Sequence, residues 1–235
     1  MSKMISIIGN DGKTTLSYYL ALKLATNGKK VMVVATNNQI PDMQSQLPEV
    51  TKGVRSLGKV LSLALINNQD ILENMITIPH NDNVGFLSYG LLESKNTYPE
   101  ISQSNIETFF QVLGSIVDYI IVDTQTINNK IDKYAIENSS HLLCITSANI
   151  KGLLFRQHMP SNLKRDITHI LFNNSSSNPY EDISHTFNDG VKYHLPYIKS
   201  LQSIYNSELL MNTSCPVKYG KLISKIEKEV ILGEC

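Results

Sequence analysis

Met4-Ile5-Ser6-Ile7-Ile8, then Gly9-Asn10-Asp11-Gly12-Lys13-Thr14-Thr15, then a run of helical period to Thr26: this stretch decides the fold. The first five residues read as a short buried strand. Gly9 and Gly12 allow the backbone to turn tightly, and the spacing predicts a helix over Thr15–Thr26. The N–H groups at a helix N-terminus point outward and carry partial positive charge, which suits a phosphate. Lys13 is placed to reach β- and γ-phosphates, and the Thr14 hydroxyl to ligate Mg²⁺. A bare Gly-Lys-Thr also fits a plain strand-turn-helix. The preceding strand, the following helix and the second threonine, Thr15, point instead to a nucleotide.

Outward from this stretch, β-rich runs alternate with helical segments. The predicted strands are Met4–Ile8, Lys30–Thr36, Asn83–Ser88, Tyr119–Asp123, Leu142–Thr146, Thr168–Phe172 and Lys192–Leu195. Most are solid Val/Ile/Leu runs, the mark of strands buried on both faces of a parallel sheet. Helices are expected over Thr15–Thr26, Val54–Ile66, Asn105–Val117 and Asn149–Ser161, with loops at Met43–Gly53 and Asn173–Pro179. The pattern predicts an α/β protein: one domain over residues 1–235, with a doubly wound, mostly parallel sheet of about seven strands and helices on both faces. Ligands of such sheets bind at the strand C-terminal ends. In Pro216–Leu232, Val217, Tyr219, Leu222, Ile223, Ile226, Val230 and Ile231 form an apolar stripe with lysines largely off it. That reads as a closing helix packed on the sheet, with a membrane-surface helix as the sharper alternative.

Composition narrows the classes. The 235 residues are 42% hydrophobic, which excludes a mostly disordered chain. Lys+Arg and Asp+Glu are both 21, so the balance gives no support to a nonspecific nucleic-acid binder. No apolar run approaches the ~20 residues of a membrane span, and Met4–Ile8 is too short for a signal-peptide core. Cys144, Cys215 and Cys235 have neither disulfide nor metal-ligand spacing. The expected location is the reduced cytoplasm. The six histidines (His80, His141, His158, His169, His185, His194) are dispersed, with no ligand pairing for a metal.

The strict G-x4-G-K-[ST] pattern is not met, since its first glycine would fall at Ile7. Aligned on Lys13, the loop resembles K-G-G-x-G-K-T-T, the deviant Walker A loop of the ParA/MinD ATPase family, through Gly9, Gly12, Lys13, Thr14 and Thr15. Asp118-Tyr-Ile-Ile-Val-Asp123-Thr124 is similar to that family's D-Y-I-I-I-D-T strand. Lys30–Gln39 is similar to the strand written V-L-L-I-D-x-D-P-Q. Ile170-Leu-Phe-Asn173-Asn174 resembles the strand ending in an adenine-contacting Asn, and Leu195-Pro196-Tyr197 the late I-P-Y-D region. Together these cover about residues 3–210.

The resemblance implies a P-loop fold that binds ATP or ADP with Mg²⁺. Gly9, Asn10, Asp11, Gly12, Lys13, Thr14 and Thr15 would cradle the phosphates, and Asn173, with Asn174 as competitor, and Pro196 would lie at the base. Thr14 and Asp123 would serve the metal, and Lys13, Asp123 and Asn37 the chemistry. It also implies a homodimer and a positioning role: plasmid or chromosome partition, septum placement, or pilus and secretion assembly. The TadZ/CpaE-like and MinD-like localisation branches are the most similar. A protein partner is expected; DNA contact, which the net charge does not support, and membrane contact through the last helix are less so.

Three departures stand out. The family's signature lysine is Ile8, its middle glycine is Asn10, and its D-x-D is Ala35 and Asn37. Each lost charge-stabilising group typically costs about 10²–10³ in rate, so slow or absent ATP turnover is expected. A non-hydrolysing scaffold of the same fold is the alternative. The loop is also similar to G-T-N-G-K-T-T of the Mur ligases, but those carry a further C-terminal domain and match Asp118–Thr124 less well.

Overall fold

A computed structural model describes residues 2–46, 55–79, 81–125, 129–160, 163, 167–173, 190–200, 210 and 214–233. Its centre is a sheet of eight strands: β1 (Lys3–Gly9), β2 (Val31–Ala35), β3 (Ile76–Ile78), β4 (Asn81–Ser88), β5 (Tyr119–Asp123), β6 (His141–Ser147), β7 (Ile167–Phe172) and β8 (Val191–Leu195). The order across the sheet is β3-β4-β2-β5-β1-β6-β7-β8. Every pairing is parallel except β3 against β4. The sequence predicts seven of these strands within two residues of their observed bounds; the eighth, β3, is a three-residue antiparallel edge too short to carry a periodicity.

The solid apolar runs follow from burial on both faces. Ile5 and Ile7 of β1 point to one side, where α1 (Lys13–Thr26) and α7 (Val217–Ile226) cover the sheet. Met4 points to the other, against α2 (Leu57–Leu61), α3 (Asn68–Asn74), α4 (Gln103–Ile116) and α5 (Lys130–Glu137). Ile8 continues that second face toward Ile136, Cys144 and Met159, beside α6 (Ile150–Gln157). The closing helix packs as the stripe predicts through Tyr219, Ile223 and Ile226, although Val217 is exposed. A π-helical turn extends it over Glu227–Leu232. There Glu227, 2% exposed, accepts from Asn27 Nδ2 at 2.7 Å and lies 3.6 Å from Lys23 Nζ, at the far end of α1.

Two helices differ from expectation for local reasons. The helix predicted over Val54–Ile66 is only α2, and Val54 lies outside the described residues. Ser56 caps it by accepting from Gly58 and Lys59 N–H. The chain leaving it is held by another helix: Asn105 Nδ2 donates to the carbonyl of Leu61, the last residue of α2, at 2.9 Å and to Leu63 O just beyond it at 3.0 Å. Asn67 and Asp70 then form a reciprocal capping box that starts α3. The helix predicted to Ser161 stops at Gln157, with Pro160 close behind. Of the predicted loops, Met43–Gln46 is a 3₁₀ turn, residues 47–53 lie outside the described set, and so do 174–179.

Candidate functional site

β1 ends at the residue where only glycine fits. Gly9 has φ +151°, and a Cβ there would lie 1.8 Å from the Ile145 carbonyl oxygen of β6. Gly12, with φ +75°, is the N-cap of α1 and brings no side chain of its own to cap it. The N-terminus of α1 thus opens on a cavity in front of the loop, a place whose helix dipole suits an anion. That cavity measures about 180 Å³ and is lined by loop residues 10–15 with Asp42, Gln46 and Leu210.

Lys13 folds back over the loop, its Nζ donating to Gly9 O at 3.1 Å. The Thr14 hydroxyl donates to Asp123 Oδ2 at 2.7 Å. Asp123 ends β5, beside β1, and is 6% exposed. Burial pushes its carboxyl up to about 6, with the Asp42 charge adding to this while Lys13 and the Thr14 hydrogen bond oppose it. A half-buried hydroxyl bonded to a buried carboxylate next to a lysine matches the donor set a magnesium–phosphate group requires.

The remaining predicted residues fall in different places. Asn37 Oδ1 accepts from Gln39 and Ile40 N–H at 3.2 and 3.1 Å, closing a turn after β2. Asn173 follows β7 and Pro196 follows β8; the Asn173 N–H donates to Leu195 O at 2.9 Å, which joins the two segments at one sheet edge. Asn10 is tied to β6: its Nδ2 donates to Ser147 Oγ at 2.6 Å, and the Ser147 N–H donates to its Oδ1 at 3.0 Å.

Sequence reasoning passed over Ser147 and Asp132. Asp132 of α5 is 0% exposed and accepts from Thr36 Oγ1 at 2.5 Å. That threonine also meets Asp123 O and Gln125 N–H. A signal existed for Asp132, which sits three and four residues before Ala135 and Ile136 in the apolar stripe of α5. None existed for Ser147.

No protein-family model matches the sequence, and comparison with curated proteins gives no match. Solved structures do match. A ParA family ATPase from Chlorobium tepidum superposes with a TM-score of 0.72 at 15% identity, covering 96% of this chain and 97% of that one. The septum site-determining protein MinD from Pyrococcus horikoshii, complexed with Mg-ADP, gives 0.71 at 16% identity over 98% and 96%. A putative plasmid partition protein from Borrelia burgdorferi, bound to AMPPNP, gives 0.71 at 16% identity over 99% of each chain. The fold is that of the ParA/MinD ATPases.

Within the ParA/MinD frame the departures acquire surroundings. Ile8, at the place of the signature lysine, is fully buried against Ile136, Cys144 and Met159. Ala35 is buried in the core and stands opposite Asp123 in the β2–β5 register. Among the described residues, no helix is long and apolar enough to cross a membrane.

Proposed function

We propose that the chain is a nucleotide-dependent switch of ParA/MinD type, working as one domain in the cytoplasm and positioning a cellular cargo through a protein partner. The observation that carries this reading is the glycine-capped N-terminus of α1 on a cavity that Lys13 and Thr14 border, with Asp123 hydrogen-bonded behind Thr14. The Mg-ADP and AMPPNP held by two proteins of this fold support it. Gly9–Thr15 would wrap the phosphates, with Lys13 leaving Gly9 O for them. Thr14 and Asp123 would hold Mg²⁺, and Asn173 and Pro196 would lie near the base. When bound, Mg²⁺ offsets phosphate charge. Asp123 must be ionised to serve it, and the charge of Lys13 favours that form.

Turnover on the isolated chain would be slow. Ile8 brings no charge, Ala35 brings no carboxylate, and Asn37 has its oxygen engaged in a turn. A homodimer facing across the nucleotide edge fits the reading, with switch segments around the γ-phosphate carrying the signal. The buried Ile8 also favours a second reading, a scaffold of the same fold that binds nucleotide without hydrolysing it. Calorimetry with Mg-ATP and Mg-ADP on the wild type and Lys13→Ala tests the site. Binding by the wild type that the variant loses supports it; equal binding in both, or none in either at millimolar nucleotide, overturns it.

A further inference from the structure

We propose that Ser147, together with Asn10, is a positioning element for the phosphate loop: the serine clamps both ends of the Asn10 amide and sets the loop's first turn in a nucleotide-ready form. The inference rests on the nucleotide-binding reading and adds a residue to it. β1 and β6 pair up to Gly9↔Ile145, so the next residue of the loop reaches the end of β6 two positions on. There the Asn10 amide is satisfied on both sides, donating to Ser147 Oγ at 2.6 Å and accepting from Ser147 N–H at 3.0 Å. Its functional group is therefore not available to a phosphate. It acts on the loop's shape.

Ser147 is itself held firmly. It is 1% exposed. Its Oγ donates to Asn149 Oδ1 at 2.9 Å, and the same oxygen accepts the Gly152 N–H at 3.0 Å to cap α6. A Cβ on Gly152 would lie 1.9 Å from the Ser147 carbonyl oxygen, so helix and strand end are in close contact. The clamp thus ties a loop that needs glycine at Gly9 and Gly12 to a rigid strand–helix junction. A loop with two glycines has much conformational freedom to lose on binding. Fixing it in advance lowers that loss, which is how preorganisation raises affinity.

The test uses Asn10→Ala, Ser147→Ala and the double variant, each checked by circular dichroism and kept well below its melting temperature. One net hydrogen bond corresponds to about fivefold to tenfold in a binding constant. Asn10→Ala, which removes both bonds, is expected to weaken Mg-ADP by about tenfold in calorimetry. Ser147→Ala, which keeps the backbone donor, weakens it a few-fold, and the double variant matches Asn10→Ala. Hydrogen exchange on the nucleotide-free protein gives a second readout, with faster exchange expected across residues 10–15 in the variants. Unchanged affinity and exchange, or fully additive effects, overturn the proposal. A purely structural role would lower the melting temperature and leave the affinity alone, which also overturns it. A wild type that binds no nucleotide defeats the reading of the site instead, and the exchange data then decide the clamp by themselves.

Discussion

The Thr14 hydroxyl donates to Asp123 Oδ2 at 2.7 Å across 109 positions of sequence. One residue lies in the first turn of α1 and the other ends β5, so the bond joins the phosphate loop to the neighbouring strand. It also leaves a carboxylate in a place where burial disfavours its charge.

That burial makes stability depend on pH. The Asp123 carboxyl titrates near 6 in the folded protein and near 3.9 in an unfolded chain. Between those values the folded state keeps a proton that the unfolded state has lost, so stability falls as pH rises through about 4 to 6. The full penalty, on the order of 3 kcal/mol, stands above that window. Asp123→Asn is therefore expected to be more stable than the wild type at pH 7.5, with the gap closing toward pH 4.5, while it binds Mg-nucleotide more weakly. Urea melts at the two pH values check the first part; a variant less stable at pH 7.5 contradicts it.

Restoring the family's lysine is expected to fail. Ile8 lies among Ile136, Cys144 and Met159 with no exposed surface. An ammonium there would be unpaired, at a cost on the order of 3–5 kcal/mol. Ile8→Lys should lower the denaturation midpoint sharply and add no turnover. An Ile8→Lys protein of wild-type stability would show that the side chain escapes to solvent.

Turnover of the isolated wild type should lie well under the ~1 s⁻¹ low end of ordinary enzymes, and Lys13→Ala should abolish what there is. A brisk rate that is lost in Lys13→Ala would mean that another carboxylate acts; Asp42, which borders the cavity, is then the residue to change.

Gly152→Ala sets two rules against each other. Helix propensity alone favours alanine by about 1 kcal/mol. The Cβ would meet the Ser147 carbonyl at 1.9 Å, and overpacking of this kind typically costs roughly 1–3 kcal/mol. Packing should win, and thermal melts should show a net loss.

The sheet was legible because the chemistry of β1, β2, β5 and β6 repeats one message. Runs such as Ile120–Val122 have no polar side to show, which marks strands between two helical layers. The loop was legible because Gly9, Gly12, Lys13 and Thr14 are the residue types a phosphate requires, close together between a strand and a helix. What escaped notice depends on distant partners. The end of α2 is set by Asn105, from another helix. The role of Asn10 is set by Ser147, 137 residues on. A side-chain amide gives no sign in the sequence of which backbone it will meet.

The position of β1 in the middle of the sheet has a consequence for synthesis. Lys3 aligns with Tyr119, and Ile5 with His141, so both neighbours of β1 leave the ribosome long after it does. At about 5–20 residues per second, Met4-Ile5-Ser6-Ile7-Ile8 waits roughly several seconds or more with its backbone unpaired. A short β-prone run without charge is the kind that aggregates. The segment that leads into the phosphate loop is thus, among the described strands, the one that waits longest for its first pairing partner.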